Sequence, residues 1–269
     1  MTTAFVSKYG PWALITGASE GIGKGFARHC AQQGLNLLMI ARREDVLETA
    51  AQEMRDEYSV EARTLSLDLT SPGCMDQIKA FSRDAEVGIL VNNAAFSFPS
   101  EFLKVKAGVL EKMLNINVNL SVMLNHHFGG LMTERGHGAI INVSSKTGII
   151  PMPYFAMYSA SKSFLSTLSE ALWYELKDSG VDVLALEPCQ TATEGYLRRN
   201  PTIWGEEGIQ TVEDCVNEAF SALGQKASWL PWPPSRGDVE VLRAMPLEDA
   251  ISRNGDGMKE VFGKVLDGN

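Results

Sequence analysis

Paired cysteines are missing. The four that occur, Cys30, Cys74, Cys189 and Cys215, lie far apart and form no CxxC. That pattern excludes a disulfide framework and reads as reduced thiols in a cytosolic protein. Histidine is scarce, four in 269 residues, and no His/Cys group has metal-ligand spacing, so no metal is expected. Positive charge is in deficit, 24 Lys and Arg against 33 Asp and Glu. The resulting net charge of -9 argues against nucleic acid and anionic membrane as partners. No apolar run approaches the ~18 residues of a membrane span. The opening MTTAFVSKYGPW has no signal-peptide apolar region. A repeat, a low-complexity tract and, before residue 194, a linker are all lacking.

What is present is a regular alternation. Short apolar runs at Ala13–Ile15, Leu35–Ile40, Leu65–Leu69, Gly88–Val91, Ala139–Val143 and Val181–Leu186 read as six buried strands. Between them lie stretches with apolar residues at helical spacing. One helix starts at Ile22. One carries Val46, Leu47, Ala50 and Met54 on one face. One long helix is expected over 106–133 and another over 154–178. Strand–helix alternation predicts a parallel sheet with helices on both faces, a doubly wound α/β single domain. Beyond Thr193 the order weakens. Residues 194–235 read as a substrate-loop region with a helix over 211–223 and a seventh strand near 228–230. Residues 239–269 read as a helical C-terminal extension.

Two stretches carry chemistry. The first, Thr16-Gly17-Ala18-Ser19-Glu20-Gly21-Ile22-Gly23, joins a strand to a helix. Free N–H groups at a helix N-terminus attract phosphate, and glycines let the backbone approach it. A dinucleotide is therefore expected there. The second is Tyr158-Ser159-Ala160-Ser161-Lys162. Residues four apart share a helix face, so the Tyr158 hydroxyl and the Lys162 amine can reach one spot. A phenol is a poor proton donor at neutral pH, and a nearby cation is expected to lower its pKa. At the end of the second strand Ala41 stands where NAD-binding proteins place an acid, and Arg42 and Arg43 follow. A guanidinium fork suits the 2′-phosphate, which favours NADP(H) over NAD(H). Glu20 is a counter-signal, since it could face that phosphate.

TGASEGIG, LVNNAA, NVSS, YSASK and EPCQTAT occur in the order seen in short-chain dehydrogenases/reductases, and the chain resembles that family over about residues 11–225. GPWALITGASEGIGKGFA and VGILVNNAA resemble its 17β-hydroxysteroid dehydrogenase and 3-ketoacyl-CoA reductase branch. The resemblance implies a Rossmann-type fold and a catalytic set of Asn117, Ser145, Tyr158 and Lys162. Asn117 would hold a water that links Lys162 to solvent. The implied cofactor contacts are Gly17, Ser19, Glu20, Gly21, Ile22, Gly23, Arg42, Arg43, Asp68, Leu69, Asn93, Ala94, Pro188, Thr191 and Thr193, with Tyr158 and Lys162. Asp68 and Leu69 match the adenine contact, Asn93 a brace between central strands, and Thr193 the nicotinamide carboxamide contact. Ala95 and Cys189 replace the family's usual glycines after NNA and after Pro188, which implies a slightly reshaped nicotinamide pocket.

The expected activity is hydride transfer between NADP(H) and a ketone or secondary alcohol. Large apolar residues in loops at the sheet's carboxyl edge imply a bulky hydrophobic substrate. Phe96, Ser145, Met152, Tyr154 and Trp204 are the expected substrate contacts. Apolar residues spread widely around the two long helices imply a homodimer or homotetramer. Two other classes compete. A nucleotide-sugar epimerase or dehydratase would need a larger C-terminal domain. A catalytically idle NADP-binding regulator would not need the full Asn-Ser-Tyr-Lys set.

Overall fold

The computed structural model describes residues 4–199 and 209–266. In chain order the elements are α1 (Ala4–Tyr9), β1 (Trp12–Thr16), α2 (Gly21–Gln32), β2 (Asn36–Ala41), α3 (Glu44–Tyr58) and β3 (Ala62–Ser66). Then come α4 (Cys74–Phe81), β4 (Val87–Asn92), α5 (Ala107–Leu114), α6 (Leu120–Arg135), β5 (Gly138–Val143) and α7 (Ala156–Leu176). The chain continues through β6 (Val181–Leu186), α8 (Glu194–Arg199), α9 (Val212–Ala222), β7 (Ser228–Trp229), α10 (Pro233–Ala244) and α11 (Leu247–Leu266). The strands form one parallel sheet in the order β3-β2-β1-β4-β5-β6-β7.

Strands β1, β4 and β5 are buried along their whole length, as a sheet covered on both faces requires. Alternate residues of β2 divide between two cores. Leu37 and Met39 pack with Phe26, Leu47 and Met54 under α2 and α3. Leu38 and Ile40 pack with Leu124, Phe128 and Ile140 under α6. This period-2 division is what makes near-continuous apolar strands soluble only inside a three-layer sandwich.

Three boundaries depart from the sequence reading. The third strand runs Ala62–Ser66, not Leu65–Leu69, because it pairs with β2 from Leu37 to Ala41, the residue in register with Ser66. Leu67 and Leu69 are buried in the turn that follows, so their apolar character reports burial and not pairing. The helix expected over 106–133 is interrupted by a π-helical turn at Asn115–Asn119. Asn117 points inward there and bonds three groups across the fold, and such bulges concentrate at functional sites. The helix expected from 154 begins at Ala156, because Tyr154 takes a left-handed backbone (φ 65°). The short α1 carried no clear sequence signal. The helical reading of the C-terminal stretch resolves into α10 and α11.

Candidate active site

The strand order reverses between β1 and β4, and ligands of open α/β sheets bind outside the carboxyl ends at such a point. A cavity of about 320 Å³ opens there. Gly17, Ser19, Glu20, Gly21 and Ile22 line it from the first turn, and Ala41, Arg42 and Arg43 from the end of β2. Asp68 and Leu69 line it from the turn after β3, Asn93, Ala94, Ala95 and Phe96 from the end of β4, and Thr193 from the loop before α8. Gly21 opens α2 with φ 58°, a conformation side chains resist. Gly23 is not a lining residue. A Cβ there would collide with the Gly17 carbonyl, so this glycine serves close helix–strand approach.

Asn93 braces the floor. Its Nδ2 donates to Thr16 O at 2.9 Å and Gly17 O at 3.2 Å, and its backbone N–H donates to Thr16 Oγ1 at 3.0 Å. Asp68 accepts from the Thr70 backbone N–H and hydroxyl, at 3.0 and 2.8 Å, which holds its carboxyl below the usual range. Pro188 and Thr191 do not line this cavity. The Pro188 carbonyl accepts from Lys146 N at 2.9 Å, and the Thr191 hydroxyl donates to Cys189 O at 3.1 Å. Cys189 is half-buried, and desolvation raises its thiol pKa, which fits packing better than reactivity.

Three groups around the mouth carried no sequence signal, Glu194, Arg198 and Lys112. Glu194 Oε2 accepts from Gly21 N at 2.9 Å, so a carboxylate stands at the N-terminus of α2. Glu20 Oε2 holds both Arg43 and Arg198, each at 2.8 Å. Lys112 also lines the cavity, with its amine 5.1 Å from the Phe96 ring centre. Only the fold brings 194 and 198 to the first glycine turn. The cavity fits a dinucleotide on these observations: a helix N-terminus that already binds an anionic oxygen, and two arginines where a second phosphate would fall.

Beyond β5 and along α7 the four expected catalytic residues converge. The Ser145 side chain faces the Tyr158 hydroxyl and favours its ionised form. Ser145 Oγ accepts from Thr147 N and Thr147 Oγ1 at 3.2 and 3.1 Å. Lys162 is 2 % exposed, and its amine donates to Val143 O at 2.6 Å. It lies 5.6 Å from the Tyr158 ring centre. Burial lowers the Lys162 pKa to about 7. Burial raises Tyr158 to about 12, and the Ser145 side chain only partly opposes it. In this state burial outweighs the lowering expected from Lys162, whose amine is engaged by the Val143 carbonyl at the strand end. Asn117 Oδ1 accepts from Phe96 N at 2.8 Å, while Nδ2 donates to Phe96 O and Ser161 Oγ at 2.9 and 3.0 Å. Both amide hydrogens are committed, so the side chain acts as a clamp between β4, the π turn and α7.

Of the expected substrate contacts, Phe96 lines the cofactor cavity itself. Met152 N donates to Ser159 Oγ at 3.3 Å, which ties the 150–155 loop to α7, and Tyr154 O accepts from Ser100 N at 2.8 Å, which ties it to the segment after β4. Trp204 lies outside the described residues.

The family model described as short chain dehydrogenase matches residues 11–202. The chain belongs to the short chain dehydrogenases. Within that family it is 34% identical over 253 residues to a 7β-hydroxysteroid dehydrogenase of Collinsella aerofaciens, covering 91% of this chain and 95% of that protein. It is 36% identical over 219 residues to a very-long-chain 3-oxoacyl-CoA reductase of Macaca fascicularis, covering 80% and 69%. A short-chain dehydrogenase from Sphingobium yanoikuyae, solved in complex with NADPH, superposes with a TM-score of 0.75 at 30% identity, covering 88% of this chain and 96% of that one. This short chain dehydrogenase is thus an oxidoreductase. Its relatives include a hydroxysteroid dehydrogenase, of the 7β and not the 17β position, and a 3-oxoacyl-CoA reductase, which supports the branch that the glycine-loop and NNAA segments resemble. No separate C-terminal domain of the epimerase kind stands among the described residues.

Proposed function

We propose that this short chain dehydrogenase moves a hydride between NADP(H) and a bulky, hydrophobic ketone or secondary alcohol of the fused-ring steroid class. The observation that carries the chemistry is the buried Lys162 amine 5.6 Å from the Tyr158 ring centre, one helical turn along α7, with the Ser145 side chain facing the Tyr158 hydroxyl. NADP(H), when bound, supplies or accepts the hydride. The residues around it do the rest. Gly17, Ser19, Gly21 and Ile22 would hold the diphosphate, and Arg42 and Arg43 the 2′-phosphate. Asp68, Leu69, Asn93 and Ala94 would flank adenine and its ribose. Pro188, Thr191 and Thr193 would bound the nicotinamide side. Ser145 donates a hydrogen bond to the substrate oxygen and stabilises charge developing on it. Tyr158 keeps its proton at neutral pH and gives it to that oxygen during reduction. Lys162 binds the nicotinamide ribose and, once charged, brings the phenol pKa down.

The cofactor assignment is supported by Ala41, which leaves no acid for a ribose 2′-hydroxyl, and by the NADPH-bound relative. The substrate assignment is supported by the hydroxysteroid relative, which this chain matches over 95% of its length. A cytoplasmic homo-oligomer fits the same reading. Leu114, Met123, Leu131, Phe164 and Tyr174 form exposed apolar positions on α5, α6 and α7. Such faces are covered when two copies pair across a two-fold axis.

The test is NADPH oxidation with a steroid ketone, a 3-oxoacyl thioester and a small aromatic ketone. The steroid ketone should give the highest kcat/KM. Preference for the thioester would move the substrate class, and turnover of none of the three would sink the reading.

A further inference from the structure

Behind the catalytic residues lies a buried chain of polar groups that the proposed chemistry does not use. Glu187 follows β6 and is only 7 % exposed. Its Oε1 is 2.8 Å from Ser166 Oγ on α7. Ser166 Oγ is in turn 2.8 Å from Ser144 Oγ, which follows β5. Ser144 Oγ is 2.7 Å from the carbonyl oxygen of Lys162.

Three contacts at hydrogen-bond distance need three protons. A carbonyl has none, and each serine hydroxyl has one. The proton between Ser144 and the Lys162 carbonyl must come from Ser144. The proton between the serines must then come from Ser166. That leaves Glu187 to supply the third. An ionised Glu187 would claim the Ser166 proton and leave Ser144 one proton for two contacts, so either the serine pair at 2.8 Å or Ser144 and the Lys162 carbonyl at 2.7 Å would have no hydrogen between them. We propose that Glu187 is a positioning residue in its acid form, a buried carboxyl group whose proton completes the chain to Ser144 and the Lys162 carbonyl and so holds Ser145 and Lys162 in register.

The surroundings agree. Desolvation raises the Glu187 pKa to about 7, Glu170 on α7 pushes the same way, and the Ser166 bond and Arg243 on α10 oppose them. β7 joins this residue through the backbone, with Glu187 N donating to Trp229 O at 2.9 Å. The clamp is reciprocal at its far end. Lys162 Nζ grips Val143 O while Ser144, the next residue, grips the Lys162 carbonyl. Losing the Glu187 proton would unseat one member of a pair that sets where the amine and the Ser145 hydroxyl stand.

The roles of Ser145 and Lys162 rest on the function proposed above, and the protonation of Glu187 does not. Infrared difference spectra of the whole protein between about pH 6 and pH 9 test the second alone. Wild type should lose a carboxylic-acid carbonyl band on alkalinisation, and Glu187→Gln should lack that band. Turnover tests the positioning. Glu187→Gln can still donate to Ser166, so it should keep kcat near the wild-type value at pH 6 and decline less toward pH 9. Glu187→Ala should lose about tenfold in kcat, the size of one buried hydrogen bond, with NADPH affinity unchanged. Absence of the Glu187-dependent band would overturn the acid form. Equal impairment of the Gln and Ala variants would overturn the donor role. If no ketone is reduced, the function has failed, and the infrared spectra still decide the inference.

Discussion

Glu20 and Arg43 meet across the mouth of the cofactor cavity, 2.8 Å apart, and the same carboxylate oxygen also holds Arg198 at 2.8 Å. Desolvation would raise the Glu20 pKa, but the hydrogen bonds from Arg198 and Arg43 outweigh it and keep the group ionised. One of the two arginines at the end of β2 is therefore already answered by an acid. Arg42 forms no ion pair among the described residues and lines the same cavity.

The two arginines should differ in consequence. Arg42→Ala is expected to weaken NADPH about ten- to a hundredfold, the range for one charge-assisted bond, and to leave NADH nearly unchanged. Ala41→Asp should go further and favour NADH, because its carboxylate repels the 2′-phosphate. Glu20→Ser should free Arg43 and tighten NADPH. Titration of both cofactors against the four proteins checks this. Equal affinity for both cofactors in wild type, unmoved by Arg42→Ala, would reduce the arginines to surface charge.

Glu194 predicts a change that does not discriminate between cofactors. Its carboxylate occupies the Gly21 N–H, the position that a diphosphate needs. Glu194→Gln should tighten NADPH and NADH alike by about two- to tenfold, the worth of one charge at a helix N-terminus. A gain confined to NADPH would place Glu194 at the 2′-phosphate instead.

Tyr158→Phe keeps the ring and removes the proton donor. Turnover should fall by about two to four orders of magnitude, with NADPH affinity barely altered. A variant that reduces ketones at the wild-type rate would mean that another group delivers the proton.

Lys162 gives the stability of the cofactor-free protein a pH dependence of definite sign. Its folded pKa is about 7 against an ordinary 10.5. Between those values the unfolded chain carries a proton that the folded one does not, so this residue makes stability rise with pH across that window. Lys162→Met removes the buried amine. Its advantage in melting temperature over wild type should be full near pH 7 and shrink as pH approaches 10.5. A difference independent of pH would show that the amine is solvated in the folded protein.

The exposed apolar positions on α5, α6 and α7 predict assembly. Light scattering at micromolar concentration should give a multiple of the 29.4 kDa chain. Replacing Phe164 and Leu131 by Lys should shift the mass toward the monomer. A wild-type mass near 29.4 kDa would leave those faces without the expected partner.

What the sequence determined by itself was whatever depends on neighbours along the chain. Apolar runs marked the buried strands, because a strand covered on both faces has no polar alternation to hide it. The four-residue spacing of Tyr158 and Lys162 put both on one helix face, and the glycine turn lay where a strand hands over to a helix. These are short-range consequences of backbone geometry, and they held except at the third strand, which lies at Ala62–Ser66 and is only partly buried. Tertiary structure decided the rest. Glu194 and Arg198 reach the first glycine turn from more than 170 residues away in the chain. Ser144, Ser166 and Glu187 become one hydrogen-bonded chain only where β5, α7 and β6 converge. The third strand stopped where its partner stopped, and the long helix gained a π turn where Asn117 found bonds on β4's exit and α7. The Tyr158 pKa moved up and not down, because its sign depends on how much water and charge the fold leaves around the hydroxyl. Spacing places two groups near each other, but their protonation belongs to the dielectric and partners that packing supplies.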